Sequence, residues 1–452
     1  MAEIQLEAQN SSERTTGNWY HDMTRYHWFV LMVASLAWLF DCLDQQLFNL
    51  ARKPAMEAVL EGTGANVTAY GYFATGIFLI GWGTGGLVFG AMGDRIGRAR
   101  TMMFCILIYS VCTGLSALSL GFWDFGAYRF LTGLGVGGVF AVGVTLVAET
   151  VPASARAGAL GLLQALSTVG NVSAAGISSL LGRIAGAQAW RWMFVVGAAP
   201  AAMAVLVQRK VKEPELWLKA KAEGKISGGI FESMAELFRH RKWRSRALVG
   251  LVLGSAGIFG FWGIGVFTND LVRAVLAVDF AEQGVSSADL PSKLTTWTSI
   301  HWFAFNVGGF CGMMLYARLA RTIGRKPTML IAFLLAIAAT LGMYQGWHWQ
   351  SQIYWLSPIL GFCQLGVFAL YAIYFPELFP TNLRSTGTSF CYNVGRYLAA
   401  AGTIAEGFFA AQLADKPIDT LRGIGSWASL IYLVGIAALP FAPETKGKPL
   451  PE

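Results

Sequence analysis

Gly93-Asp94-Arg95-Ile96-Gly97-Arg98 closes one long apolar run, and Arg321-Thr322-Ile323-Gly324-Arg325-Lys326 closes another; their shared Ile-Gly-Arg core is displaced by 227 residues. A second pair of loops repeats with nearly the same offset. Glu149-x-x-Pro152-x-x-x-Arg156 and Glu377-x-x-Pro380-x-x-x-Arg384 carry one spacing of acid, proline and arginine, displaced by 228 residues. Two coincident offsets in corresponding loops point to a chain built twice.

The unit that repeats is a set of membrane spans. The chain has 452 residues, 55% hydrophobic and only 13% charged, where a soluble protein carries about a quarter. A span needs about 20 apolar residues, and twelve such runs are present. They divide six and six. Residues 1–27 form a polar amino-terminal segment, 28–208 a first six-helix bundle, 209–245 a basic linker, 246–441 a second bundle and 442–452 a tail. The linker is expected to hold a short amphipathic helix near Phe231–Phe238, and 269–295 to be a long external connection. The expected fold is therefore an all-α membrane protein of twelve transmembrane helices in two bundles related by a pseudo-repeat.

The net charge of +8 does not imply a nucleic-acid partner, because its distribution is topological. The side with both termini holds 24 Lys/Arg and the opposite side 8. The positive-inside rule then places both termini in the cytoplasm. Compact loops and termini suggest the plasma membrane of a bacterium. The six cysteines all fall in expected spans without metal or disulfide spacing and read as small buried hydrophobes. No nucleophile–base set or metal cluster stands out, so an enzyme is not expected, nor any cofactor. Gly133 to Gly138 matches a dinucleotide fingerprint by spacing. It lies within a span with no preceding strand, so its glycines are expected to serve close helix packing.

Ionisable residues inside spans cost about 2.5–3.5 kcal/mol each on insertion scales and so mark function. Asp41 and Asp44 are three apart in the first span and share a helix face. At roughly 1.5 Å per residue they lie about 20 and 24 Å along the helix from Trp28. Two ionised carboxylates this close repel, which favours holding a proton on one of them. Gln45 extends the polar stripe. Arg129, in the fourth span, lies at a depth near that of Asp44 and is expected to pair with it. Arg396 is near the midplane of the eleventh span, with Tyr392 and Asn393 one turn earlier. Its guanidinium suits a carboxylate gripped by two parallel hydrogen bonds; the alternative is an internal ion pair, for instance with Glu406. Trp262, among glycines in the seventh span, and the amides of Gln164, Asn171 and Gln364 are candidates to line the rest of a cavity, against the plainer reading that each only packs.

Over essentially its whole length the chain resembles the major facilitator superfamily of transporters. The resemblance rests on Gly93–Arg98, on Arg129-x-x-x-Gly133-x-Gly135 and on Pro443-Glu444-Thr445-Lys446-Gly447. The last is similar to the ending of sugar-porter-like members, while Asp41-x-x-Asp44 resembles the first span of aromatic acid and organic-anion:proton symporters. The resemblance implies a monomer that moves a small molecule through the lipid bilayer by alternating access. It also implies that Asp94, Arg95, Arg98, Glu149, Arg156, Arg325, Glu377 and Arg384 form ion pairs closing the cytoplasmic side. Arg321 stands where Asp94 stands in the first half, so the second-half network should be weaker. The function expected is proton-coupled uptake of a small organic anion, with Asp41, Asp44 and Arg129 handling the proton and Arg396 the substrate. Sugar or polyol symport, proton-driven efflux and a non-transporting sensor are the competing readings. A midplane arginine argues against the first, and short termini argue against the last.

Overall fold

In hydrocarbon every backbone N–H and C=O must find its partner within the segment, so a helix is the available form for an apolar run. The computed structural model describes residues 19–226, 229–413 and 418–451, and the spans are helical, four of them in two pieces. The first bundle comprises α1 (Arg25–Val59), α2 (Val67–Ile96), α3 (Arg98–Ser116), α4 (Phe122–Thr150), α5 (Ala153–Ala165 and Ser167–Ala185) and α6 (Ala189–Gly197 and Ala201–Lys210). The second comprises α7 (Arg241–Glu282), α8 (Leu290–Thr322), α9 (Arg325–Gly346), α10 (Ile353–Glu377), α11 (Arg384–Asn393 and Gly395–Leu413) and α12 (Ile418–Ala428 and Ile431–Ala438). Residues 1–18 of the amino-terminal segment, 227–228 of the linker and 452 of the tail lie outside the described residues.

Among the described residues nine helices are long and apolar enough to cross a membrane by themselves. The other three elements are α6, α8 and α11. α6 breaks between Gly197 and Ala201, and α11 breaks at Val394, two residues before Arg396. In the linker a helix, Ile230–Arg239, stands where the sequence predicts one, with a second at Glu215–Ala222. The long connection expected at 269–295 is a correction: α7 runs on to Glu282 and α8 begins at Leu290. The reason is a buried stripe, Leu271, Val272, Val275, Leu276 and Phe280, whose helical period continues past the apolar run.

The repeat is also cut into the helix crossings. A side chain at Gly85 would strike the carbonyl of Leu134, so α2 and α4 cross nearly backbone to backbone. At Gly312 the obstacle is the carbonyl of Phe362, where α8 crosses α10. These two crossings are related by the offset that relates the loops. Without a hydrophobic drive between helices in lipid, such close van der Waals contact carries much of the association.

Leucine at Gly85 or Gly312 would overpack these crossings at a cost of about 1–3 kcal/mol or more. Each variant is expected to lower the melting temperature of the purified protein, read by intrinsic fluorescence. Gly342→Ala, which faces open space, is expected to leave it unchanged. Equal behaviour of all three would show that the crossings are not tightly packed.

Candidate functional site

The end of the molecule that carries the linker is closed by a charge network between the bundles. Arg98, opening α3, makes two hydrogen bonds of 2.9 Å to the carboxylate of Glu149 at the end of α4, and lies 3.2 Å from Asp94. Arg384, opening α11 in the other bundle, reaches the same Glu149 at 2.5 Å. Arg98 also donates to the carbonyl of Thr381 at 2.6 Å. Asp94 answers in the reverse direction: it accepts from the backbone N–H of Ser385 and Thr386 and from the Thr386 hydroxyl at 3.0, 2.8 and 2.6 Å. A carboxylate at the first turn of a helix is favoured by its free N–H groups and dipole. Arg95 donates to Ser233 at 2.8 Å and lies 3.8 Å from Glu236, so the linker helix straps the seam.

In the second half the hydrogen-bonded ion pair stays within one bundle. Arg325 bonds Glu377 at 3.0 and 2.6 Å, and the carbonyl of Ala320 at 2.9 Å, as Arg98 bonds that of Gly93 at 2.8 Å. Glu377 takes its other bond from Thr445. Arg156 donates to the carbonyl of Ala148 at 2.9 Å, as Arg384 does to that of Pro376 at 3.2 Å, and interacts with Glu377 of the other bundle electrostatically. Two acids that the sequence reading did not assign complete the loops. Glu213 accepts from the N–H groups of Arg98, Ala99 and Arg100 at 2.6–3.1 Å, and Glu444 from those of Arg325 and Lys326 at 3.0 Å. Partial burial pushes the Glu444 carboxyl up, but its backbone N–H bonds outweigh this and hold it below its ordinary value.

Deeper in the membrane the ionisable residues fall into two groups. Arg129 is fully buried and lies 3.6 Å from Asp44. It also donates to Ser116, Thr113 and Thr132 and faces the rings of Phe48 and Phe194. Like Asp44, Asp41, one turn away and buried, has neither carboxylate oxygen hydrogen-bonded among the described residues. It interacts electrostatically with Asp44 and Arg396. Arg396 lies over the Trp82 ring at 4.0 Å and the Tyr392 ring at 4.5 Å, bonds Asn393 at 3.0 Å and bonds the Tyr392 carbonyl. Its Nε has no partner among the described residues. The side chain of Glu406 lies outside the described residues.

A cavity of about 530 Å³ opens between the bundles. Its walls include Arg52 late in α1, Tyr72 early in α2 and Thr298 early in α8, so it faces the end opposite the charge network. Trp262, Asn171 and Gln364 line it, and Asn171 bonds Asn306 across the bundles at 2.9 Å. Arg396, Asn393, Tyr392, Gln164 and Gln45 do not reach it. The physical reason is the closed seam: Asn393 sits against Gly86 and donates to the Gly137 carbonyl, and Arg396 is stacked between rings. The sequence reading missed Arg52, Asp270, Arg273, His301 and Trp302 in the wall. The arginines sit where charges ordinarily mark only the end of a span. His301, bonded to Ser357 at 2.8 Å, sits at the edge of an apolar run.

A site closed at one end, open at the other and built on a two-bundle pseudo-repeat agrees with the known proteins that this chain resembles. The family model described as Major Facilitator Superfamily matches residues 35–404. The chain is 31% identical over 336 residues to the cis,cis-muconate transport protein of Acinetobacter baylyi, covering 74% of this chain and 76% of that one. It is 26% identical over 407 residues to the benzoate transport protein of the same organism, covering 85% and 84%. The solved proton:xylose symporter XylE of E. coli shares the fold, with TM-score 0.72 at 19% identity over 94% of this chain and 98% of that one. The protein is thus a multi-pass membrane transporter and not an enzyme, and it belongs to the Major Facilitator Superfamily.

Proposed function

We propose that the protein takes up a small organic anion, a carboxylate, together with a proton. The observation that carries this reading is the buried pair of acids and its unequal neighbours: Asp44 ion-paired to Arg129 at 3.6 Å, and Asp41 with no ion pair among the described residues but within electrostatic reach of Arg396. A proton on Asp41 would remove the charge that competes for Arg396 and free that guanidinium for a substrate carboxylate. Asp44 and Arg129 would set the charge balance of the first bundle. Tyr392 and Asn393 orient Arg396, and Gln45 and Gln164 belong to the inner part of the path. Trp262, Asn171 and Gln364 meet the substrate in the cavity. The names of the muconate and benzoate relatives support the substrate class. The several cavity amides favour a sugar or polyol as the second reading, though they give no reason for Arg396.

We place 1–27, 209–245 and 442–452 in the cytoplasm of a bacterial cell, with bundles at 28–208 and 246–441 in its inner membrane and the protein acting as a monomer. The state described is then outward-facing, with the cytoplasmic gate shut by Asp94, Arg95, Arg98, Glu149 and Arg384. Arg325 and Glu377 brace the second half, and Arg156 holds the end of α4.

Proteoliposomes loaded with a pH-sensitive dye are expected to acidify when benzoate or cis,cis-muconate is added outside, and not with xylose. Asp41→Asn should abolish acidification and accumulation against a gradient. Acidification by xylose alone would replace the carboxylate reading with the sugar one.

Glu149→Gln weakens both guanidinium contacts, and disrupting a buried pair costs about 3–5 kcal/mol. A cysteine placed at Ser385, in the sealed seam, should be alkylated from the cytoplasmic side at least about tenfold faster in that background, the equivalent of 1.4 kcal/mol. An unchanged rate would remove Glu149 from the gate.

A further inference from the structure

The opening of the cavity carries charge that no part of the proposed cycle uses. Arg52 comes from α1 in the first bundle, and Asp270 and Arg273 come from one face of α7 in the second. The positive-inside rule leaves few cations at this end of the molecule, 8 against 24, yet two of them face the cavity. Among the described residues neither arginine is ion-paired to a carboxylate. Asp270 interacts electrostatically with both, and with Arg273 more strongly. That leaves Arg52 as the cation that Asp270 balances less.

Arg52 is also held in place. Its Nη donates to Thr75 at 3.4 Å, and its guanidinium lies 4.8 Å from the centre of the Tyr72 ring. Its aliphatic stem runs along α2 at Gly71, where a Cβ would come within 3.2–3.5 Å of it. The missing side chain gives Arg52 its bed. A guanidinium fixed by a ring, a hydroxyl and a glycine loses less entropy on binding an anion than a free one. Asn49, one turn away on α1, adds an amide to the same wall.

Arg52 is eleven residues beyond Asp41, roughly 16 Å at about 1.5 Å per residue. A small carboxylate cannot touch both Arg52 and the Asp41–Arg396 region at once.

We infer that Arg52, with Arg273 opposite, forms an outer capture site for carboxylates, separate from Arg396, where the anion first binds before it moves inward; Asp270 competes with it there. This rests on the organic-anion reading above. A charged capture site at the mouth of a low-dielectric cleft raises local anion concentration and on-rate, an effect weakened by salt.

The experiment is initial-rate uptake of benzoate into proteoliposomes at low and high salt. Arg52→Gln is expected to raise KM by about threefold to tenfold at low salt, with the loss falling on KM rather than kcat, and to flatten the salt dependence of KM. Arg52→Lys should restore that salt dependence in part. Asp270→Asn, which keeps both cations, should lower KM by about twofold or more and serves where Arg52→Gln fails to fold. Benzoate uptake with KM and salt dependence unchanged in Arg52→Gln and Asp270→Asn would overturn the capture site and leave the organic-anion reading standing. A wild-type protein that moves neither benzoate nor cis,cis-muconate would overturn both.

Discussion

One carboxylate, that of Glu149, is shared by Arg98 of its own bundle and Arg384 of the other. All three side chains are almost fully buried. A buried charge is tolerable only when its partners are in place, so the bundles are bound to each other here by the cost of separating them. The contact is reciprocal. The second bundle lends an arginine to Glu149, and the first lends Asp94 to the opening turn of α11. Neither half can withdraw without leaving an uncompensated charge in the other. In the proposed cycle, opening would need water to enter as these contacts break.

The latch is one-sided. Between α2 and α11 the seam carries charges at its end and hydrogen bonds along its length, from Ser389 to the Gly86 carbonyl and between the hydroxyls of Thr84 and Tyr397. The opposite seam, between α5 and α8, is packed by small residues, Gly161 against Ala317, with the Asn171–Asn306 bond as a polar contact. Two differences make the asymmetry: Arg321 stands at the position of Asp94, so no acid there reaches across, and Arg156 acts on Glu377 only electrostatically where Arg384 bonds Glu149. The pseudo-repeat thus supplies two bundles that look alike and two interfaces that are held differently.

Much of this architecture was legible in the residues. The loop offsets marked the repeat, the apolar runs marked the spans, and similar depth predicted the Asp44–Arg129 pair that the structure places at 3.6 Å. What escaped was information that depends on which face of a helix looks where. Gly85 and Gly312 were visible as glycines, but not as the points where α2 meets α4 and α8 meets α10. Glu213 sits in a polar segment with several other charges, and nothing local distinguishes the one that reaches the first turn of α3. Asn269 and Asp270 ended the apolar count, while the buried stripe carrying α7 further has a period of 3.6 rather than a continuous run. Gln45 and Gln46 are adjacent in sequence, yet only Gln46 meets the cavity.

The two intramembrane arginines show why a proton is the natural companion of an anion in the proposed cycle. Arg129 has an acid at 3.6 Å and three hydroxyls, so its charge is spoken for within one bundle. Arg396 instead rests on two aromatic faces, an amide and a carbonyl, with Asp41 acting on it only through space. Aromatic faces attract a cation without neutralising it. If Asp41 is ionised, the Arg396 region is near neutral and a carboxylate entering it adds an unmatched negative charge. If Asp41 carries a proton, the same carboxylate restores neutrality. In a low-dielectric interior the second arrangement is favoured over the first by the whole cost of a buried unpaired charge. Coupling then needs no dedicated relay between proton and substrate, because each makes room for the other through the charge on one guanidinium.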